Sequence, residues 1–146
     1  MILHMQPNGW SCLPVSFGMC LNITPKDMFR LIGHDGSQIL NDLPEPYCRR
    51  AFHIQECIDI CIQQLQFPVE IHVEWIIEVQ DRTHKLIVPE NRFMSYLALH
   101  TGVLVGQHNK KEHAVAWDRE SQKCFDPCGY KYEISEFDAS MFYALC

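Results

Sequence analysis

Residues 6–14 read QPNGWSCLP, and the rest of the chain is organised around this stretch. The side-chain amide of Gln6 precedes Cys12 by six residues, and Cys12 opens an apolar run to Leu21 that predicts a helix buried nearly all round. Pro14 suits the first turn of that helix, where its missing N–H is no loss. A helix N-terminus carries free N–H groups and partial positive charge, which favour a thiolate over a thiol. Cys12 is therefore a candidate nucleophile that needs a base.

The length, composition and charge of the chain indicate how many domains and which classes of partner to expect. The chain has 146 residues, of which 47% are apolar and 21% charged, so we expect a single domain over residues 1–146. Its formal net charge of −6, with no basic group denser than Lys110-Lys111, argues against a nucleic-acid partner. Residues 1–20 lack a signal-peptide pattern and no stretch reaches membrane-spanning length, so we expect no membrane partner and a cytoplasmic location.

The eight cysteines are expected to be reduced thiols, because the sequence shows no export signal. Cys57 and Cys61 lie four residues apart, which on a helix places both on one face with apolar neighbours and favours packing. Cys124 and Cys128 flank an Asp-Pro pair, but no second pair at zinc-site spacing accompanies them. The sequence therefore predicts no metal and no cofactor.

Patterning predicts an α+β fold. In the first half, Thr24 is expected to cap a helix that runs to about Ile32 and stops at the glycines of residues 33–36. An irregular connection should follow over residues 37–47, and an amphipathic helix over residues 47–65. A short helix is also predicted at residues 91–100. The alternating or apolar segments that predict strands are residues 69–80, 86–88, 101–106, 113–118, 123–125 and 141–145.

Because helices dominate the first half and consecutive strands the second, the sheet should be antiparallel, with the N-terminal helices packed on it. In this arrangement His113 starts a strand after a polar loop at residues 107–112, and a hairpin brings Asp126 beside it. An imidazole next to a carboxylate is held in one tautomer, with its other nitrogen free to deprotonate a thiol. Asp118 is a second candidate for orienting His113, but it lies at the far end of the same strand.

Four residues and several short words carry a family resemblance. The order Gln6, Cys12, His113, Asp126 resembles that of the papain-like cysteine peptidases. The words CLP at residues 12–14, GVLV at 102–105, HAVAWD at 113–118 and FDP at 125–127 are most similar to the compact group that trims double-glycine leaders from bacteriocin precursors.

This resemblance implies a papain-like cysteine peptidase fold and a role for each residue. Cys12 would be the nucleophile, His113 the general base and acid, and Asp126 the residue that orients His113. Gln6 would supply the oxyanion-hole amide, with the backbone N–H of Cys12 as second donor. The implied reaction is hydrolysis of a peptide or isopeptide bond in a protein or peptide substrate through an acyl-enzyme thioester.

Two further hypotheses remain open, and the substrate is not identified. Ser11 and Leu13 stand where the leader peptidases usually have Asp and Gly, so the chemistry is implied more firmly than the leader specificity. Trp10 and Ser11 are candidates for the wall of the substrate cleft. The same triad would also serve a deamidase or transamidase, and a papain-like scaffold can be a binding module that no longer catalyses.

Overall fold

The computed structural model describes residues 1–40, 43–45, 47–73 and 89–146. The helices are α1 (Cys12–Leu21), α2 (Pro25–Ile32), α3 (Ile54–Asp59), which continues as a π-helical turn at Ile60–Gln64, and α4 (Pro89–Leu99). The strands are β1 (Val69–Val73), β2 (Thr101–His108), β3 (Lys111–Asp118), β4 (Lys123–Asp126), β5 (Tyr130–Tyr132) and β6 (Asp138–Leu145), with a 3-10 turn at Ile134–Glu136.

These strands form one six-stranded sheet in the order β1-β6-β2-β3-β4-β5, and every described pairing is antiparallel. The α+β class and the antiparallel sheet predicted from the sequence are confirmed. The central strands alternate between two apolar faces, so that Val103 packs with Phe17 of α1 while Leu104 packs with Leu97 of α4. The sheet therefore lies between α1 on one face and α4 on the other.

Helix α1 is the buried central helix that the sequence predicts. Its residues from Pro14 to Met19 are all buried, and Gly18 allows a close approach, because a Cβ there would lie 2.7 Å from the carbonyl oxygen of Ile23. The Thr24 cap of α2 is also confirmed, since its hydroxyl accepts a hydrogen bond from the Asp27 N–H at 3.2 Å. Gly33 ends α2 in the left-handed conformation.

The helix predicted at residues 47–65 begins later than expected. His53 caps α3, with its ring nitrogen accepting from the Gln55 N–H and its own N–H donating to the Glu56 carboxylate. The preceding Ala51 has a φ of 49°, which is incompatible with a continuous right-handed helix. Cys57 and Cys61 are buried in the core, as their spacing predicts.

The polar loop predicted at residues 107–112 is wrong in its extent. Strands β2 and β3 continue toward each other and leave a two-residue turn at Asn109 and Lys110, both with positive φ. Such turns match the twist of a hairpin, and asparagine tolerates the left-handed conformation they need. His113 is consequently the third residue of β3 and not its first. Strand β5 was not predicted, and β6 begins at Asp138, three residues earlier than expected.

Two expectations fall partly outside the described residues. The strand predicted at residues 69–80 is described only as β1 (Val69–Val73), and the partner strand predicted at residues 86–88 lies in the part that is not described. Helix α4 confirms the short helix predicted before β2, although it starts at Pro89. Among the described residues, no helix has both the length and the apolar character needed to cross a bilayer.

Candidate active site

Cys12 is the first residue of α1, and α1 is fastened to the sheet by two polar contacts. One helical turn after Cys12, the Ser16 hydroxyl donates to the Ala114 carbonyl at 3.0 Å in a buried position. One turn further, the Cys20 thiol donates to the Gly102 carbonyl at 3.2 Å. Residues four apart share a helix face, so these contacts fix the face that carries Cys12 against the sheet. Ala114 directly follows His113, and the Ser16 contact therefore sets the position of Cys12 relative to His113.

His113 and Asp126 form the contact that the sequence predicts. The imidazole Nε2 lies 2.8 Å from the carboxylate Oδ1, and the side chains are 13% and 3% exposed. Strands β3 and β4 pair Ala116 with Phe125, which brings the start of β3 beside the end of β4. With Nε2 bonded to Asp126, Nδ1 is the nitrogen left for Cys12.

Asp126 is held by three donors. Besides His113, the backbone N–H of Cys128 donates to Oδ1 at 2.7 Å, and the Tyr132 hydroxyl donates to Oδ2 at 2.8 Å. Burial raises the pKa of Asp126, but the hydrogen bonds from His113, Cys128 and Tyr132 outweigh it and lower that pKa from 3.8 to about 2. The carboxylate is therefore ionised and fixed in orientation.

The charge of His113 depends on both of its neighbours. Burial lowers the pKa of His113, but its hydrogen bonds with Asp126 and Cys12 and its attraction to both groups raise that pKa from 6.5 to about 9. The imidazole is therefore an imidazolium at neutral pH when it faces a carboxylate and a thiolate. Cys12, His113 and Asp126 thus lie in series, with the imidazole interacting with the thiol on one side and hydrogen-bonded to the buried carboxylate on the other.

Gln6 lies beside the turn that follows Asp126. Its backbone N–H donates to the Pro127 carbonyl at 2.8 Å, and Met5 packs on Gly129 of the same turn. The Gln6 side-chain oxygen is buried and has no hydrogen-bond partner in the described part of the chain. A buried carbonyl oxygen without a hydrogen-bond partner costs free energy, so the fold is less stable for keeping the Gln6 amide in this position.

Trp10 and Ser11 occupy different environments. The Trp10 indole N–H donates to the Asp35 carbonyl at 3.0 Å, and the Arg49 guanidinium lies 4.2 Å from the centre of its ring, so Trp10 joins the segment after α2 to the start of α1. Ser11 is completely buried and its hydroxyl has no partner among the described residues. Substrate contact with Ser11 would require the chain around it to move.

Asp118, the second candidate for orienting His113, lies elsewhere. It is the last residue of β3, and its carboxylate accepts a hydrogen bond from the Ser121 hydroxyl at 2.6 Å. It lines a separate polar pocket together with Thr101 and Arg119. The preference for Asp126 over Asp118 as the partner of His113 is therefore confirmed.

Tyr132 belongs to this site and was not identified from the sequence. It lies on β5, whose register pairs Cys124 with Tyr132 and so turns the Tyr132 side chain to the same face as Asp126. The His108 ring stacks on Tyr132 with 4.8 Å between ring centroids. The only signal in the sequence is the period-two spacing of Tyr130 and Tyr132 after the turn, which predicts a strand but not its register.

Replacing Tyr132 with phenylalanine should lower the free energy of unfolding by about 1.5–3 kcal/mol, because a hydrogen bond to a buried carboxylate is lost. Urea unfolding monitored by circular dichroism measures this change. Tyr130→Phe is the matched control, since Tyr130 is on the same strand and 66% exposed. Equal effects of the two substitutions would contradict a supporting role for the Tyr132 hydroxyl.

Two groups of side chains have metal-ligand character among the described residues. Ligand atoms of His113, Asp126 and Cys128 lie within 4.8 Å of one another, and so do those of Glu70, His100 and Cys146. The first group shares two residues with the series described above. The second lies around the end of β6 and is mostly exposed.

Comparison with known proteins adds no relative. No family model, no curated protein and no solved structure matches this chain. The resemblance to papain-like peptidases therefore depends on the residues quoted from the sequence, and the function has to be argued from the geometry of the site.

Proposed function

We propose that this protein is a papain-like cysteine hydrolase that cleaves a peptide or isopeptide bond in a protein or peptide substrate. The observation that carries the proposal is that His113, which interacts with Cys12, is hydrogen-bonded to the buried Asp126 carboxylate. A nucleophile, a base within hydrogen-bond reach and a group that orients the base are the combination required for acyl transfer.

In the proposed reaction, His113 accepts the Cys12 proton and the Cys12 sulfur attacks the substrate carbonyl carbon. The negative charge on the carbonyl oxygen is stabilised by the backbone N–H of Cys12 and the side-chain NH₂ of Gln6. His113 then gives its proton to the leaving nitrogen, the C–N bond breaks, and an acyl thioester remains on Cys12. Water, deprotonated by His113, hydrolyses the thioester and restores the thiol. Asp126 keeps its charge throughout and orients the imidazole.

The burial pattern of the cysteines supports Cys12 as the reactive one. Burial raises the pKa of the thiols of Cys20 and Cys57 strongly and that of Cys61 to about 11, so these thiols are inert at neutral pH. Burial and the nearby Asp126 carboxylate raise the pKa of Cys128 to about 11. Cys12 alone has His113 as a hydrogen-bond partner among the described cysteines. An inactive binding module has no need of this arrangement.

Iodoacetamide at a limiting amount and at pH 6.5 should label Cys12 before the other seven cysteines. A positively charged His113 beside the Cys12 sulfur promotes its attack as the anion, whereas burial or a nearby carboxylate raises the pKa of Cys20, Cys57, Cys61 and Cys128. Peptide mapping by mass spectrometry after a short exposure measures the order of labelling. Uniform labelling of all exposed thiols, with Cys128 and Cys146 modified as fast as Cys12, would contradict the proposal.

A peptide-aldehyde probe provides a second, mechanism-based test. It should form a hemithioacetal with the wild-type protein and none with the Cys12→Ala variant, because the adduct needs both the nucleophile and the oxyanion donors. Cys146→Ser is the matched control, since it also removes one accessible thiol. A substrate that stays intact but gains a carboxylate in place of a glutamine amide would identify the related deamidation reaction.

A further inference from the structure

We propose that His113, Asp126 and Cys128 form a zinc site whose occupation switches off Cys12. The three ligand atoms, one from each residue, all lie within 4.8 Å of one another. They come from β3, the end of β4 and the turn after it, so the sheet pairing holds them together without a long loop. Zn²⁺ binding is a property of these side chains alone, while the loss of Cys12 reactivity rests on the proposed function.

The geometry of the group suits a metal ion that bridges His113 and Asp126. Nε2 and Oδ1 are already 2.8 Å apart, and two ligands bound to one zinc at about 2.0–2.1 Å each lie only slightly farther from each other. The metal would take the place of the proton now between these two atoms. The exposed Cys128 side chain gives a route from solvent to this position.

The donor set also matches zinc in kind. One thiolate, one imidazole nitrogen and one carboxylate oxygen form a mixed set that Zn²⁺ accepts, and water would complete four ligands. Binding removes one proton from the Cys128 thiol and one from His113 Nε2, and both go to solvent. Asp126 keeps its second oxygen bonded to the Tyr132 hydroxyl, which orients the carboxylate toward the metal.

Such a metal would act on the reaction through His113. A neutral imidazole whose Nε2 lone pair binds zinc carries its only proton on Nδ1, so Nδ1 has no lone pair with which to accept the proton of Cys12. The Cys128 thiol supplies the third ligand atom, which a Cys-His-Asp series alone does not offer at this position. The inhibition should be reversible, since a chelator that removes zinc restores the His113–Asp126 hydrogen bond.

The test uses the full chain with Cys146→Ser as background, which removes the second metal-ligand group. Zinc chloride is titrated in competition with a chromophoric chelator, and cobalt(II) is used to detect the thiolate charge-transfer band. The background protein should bind one zinc, and adding Cys128→Ser should weaken binding by more than about tenfold and abolish the band. Adding Cys12→Ser should leave both signals unchanged. Circular dichroism confirms that each variant is folded.

Three outcomes would overturn the site: no zinc binding by the background protein, equal binding by the Cys128→Ser variant, or loss of binding with Cys12→Ser. The loss of Cys12 reactivity on zinc binding, which rests on the proposed function, is tested separately by the rate of iodoacetamide labelling at Cys12, with and without zinc. Zinc binding at Cys128 with no Cys12-selective labelling in metal-free protein would refute the proposed hydrolase and leave the metal site standing. Selective labelling that zinc does not slow would refute the switch alone.

Discussion

Replacing His113 with alanine should slow the alkylation of Cys12 at pH 6.5 by about a hundredfold. An isolated cysteine ionises near pH 8.5, so about one thiol in a hundred is a thiolate at pH 6.5. In the wild-type protein His113 bears a positive charge at pH 6.5, because its pKa is raised to about 9, and a positive charge beside a sulfur that reacts as the anion speeds alkylation. Pseudo-first-order rates with iodoacetamide between pH 5.5 and 9.5 measure the effect.

The shape of the pH profile separates a chemical from a structural effect of the substitution. The His113→Ala variant should be alkylated more slowly than the wild type at pH 6.5, and the difference should shrink as pH rises through about 9, where His113 of the wild type loses its charge. His4→Ala is the control, since it also removes one imidazole, and no contact through the His4 ring is described. Identical profiles for wild type and His113→Ala would show that Cys12 owes no reactivity to His113.

Replacing Asp126 with alanine should lower the free energy of unfolding by about 3–5 kcal/mol at pH 7. The carboxylate accepts from His113, Cys128 and Tyr132, and its loss leaves three donors without this partner, one of them charged and one, the Tyr132 hydroxyl, in a buried position. Urea unfolding measures the change. Asp126→Asn keeps the volume and one acceptor oxygen, so it serves as the milder variant if the alanine protein does not fold.

The stabilisation of the fold by the His113–Asp126 pair should depend on pH in a defined direction. The folded-state pKa of His113 lies above its unfolded value of 6.5, so its contribution is complete below pH 6.5 and is lost as pH rises through about 9. The shift corresponds to about 3 kcal/mol. The folded-state pKa of Asp126 is lowered to about 2, so its contribution is complete above pH 4 and is lost as pH falls through 2.

The stability difference between wild type and Asp126→Asn should therefore be larger at pH 6 than at pH 9.5, by up to about 3 kcal/mol. Comparing the two proteins cancels the titration of the buried thiols, which both contain. Cys12→Ala shows how much of the effect comes from the thiol. A difference that does not change between these pH values would mean that His113 gains no charge stabilisation from Asp126.

Much of the fold, and the contact between His113 and Asp126, could be predicted from local patterns in the sequence. The apolar run after Cys12 predicted α1, the Thr24 and Gly33 signals bounded α2, and the period of two predicted the central strands. These features depend on neighbours within a few residues, whose effects on backbone conformation are short-ranged. The His113–Asp126 contact was also predicted, because two strands joined by a short turn have few ways to pair.

Contacts between distant residues required the tertiary structure. Ser16 meets the Ala114 carbonyl across 98 positions of sequence, and nothing local in either segment specifies that meeting. The two-residue turn at Asn109 and Lys110 shows the same limit, since a polar hexapeptide is compatible with either a loop or paired strand ends. Here the ends of β2 and β3 pair with each other, up to His108 and Lys111.

The sequence by itself determined which chemical groups this protein has and in what order: an amide, a thiol at a helix start, an imidazole and a carboxylate. Only the tertiary structure decided that Tyr132 joins Asp126. The reason is strand register, because the pairing of Cys124 with Tyr132 turns the Tyr132 hydroxyl toward the carboxylate, and a slip of one residue would turn it to the opposite face of the sheet.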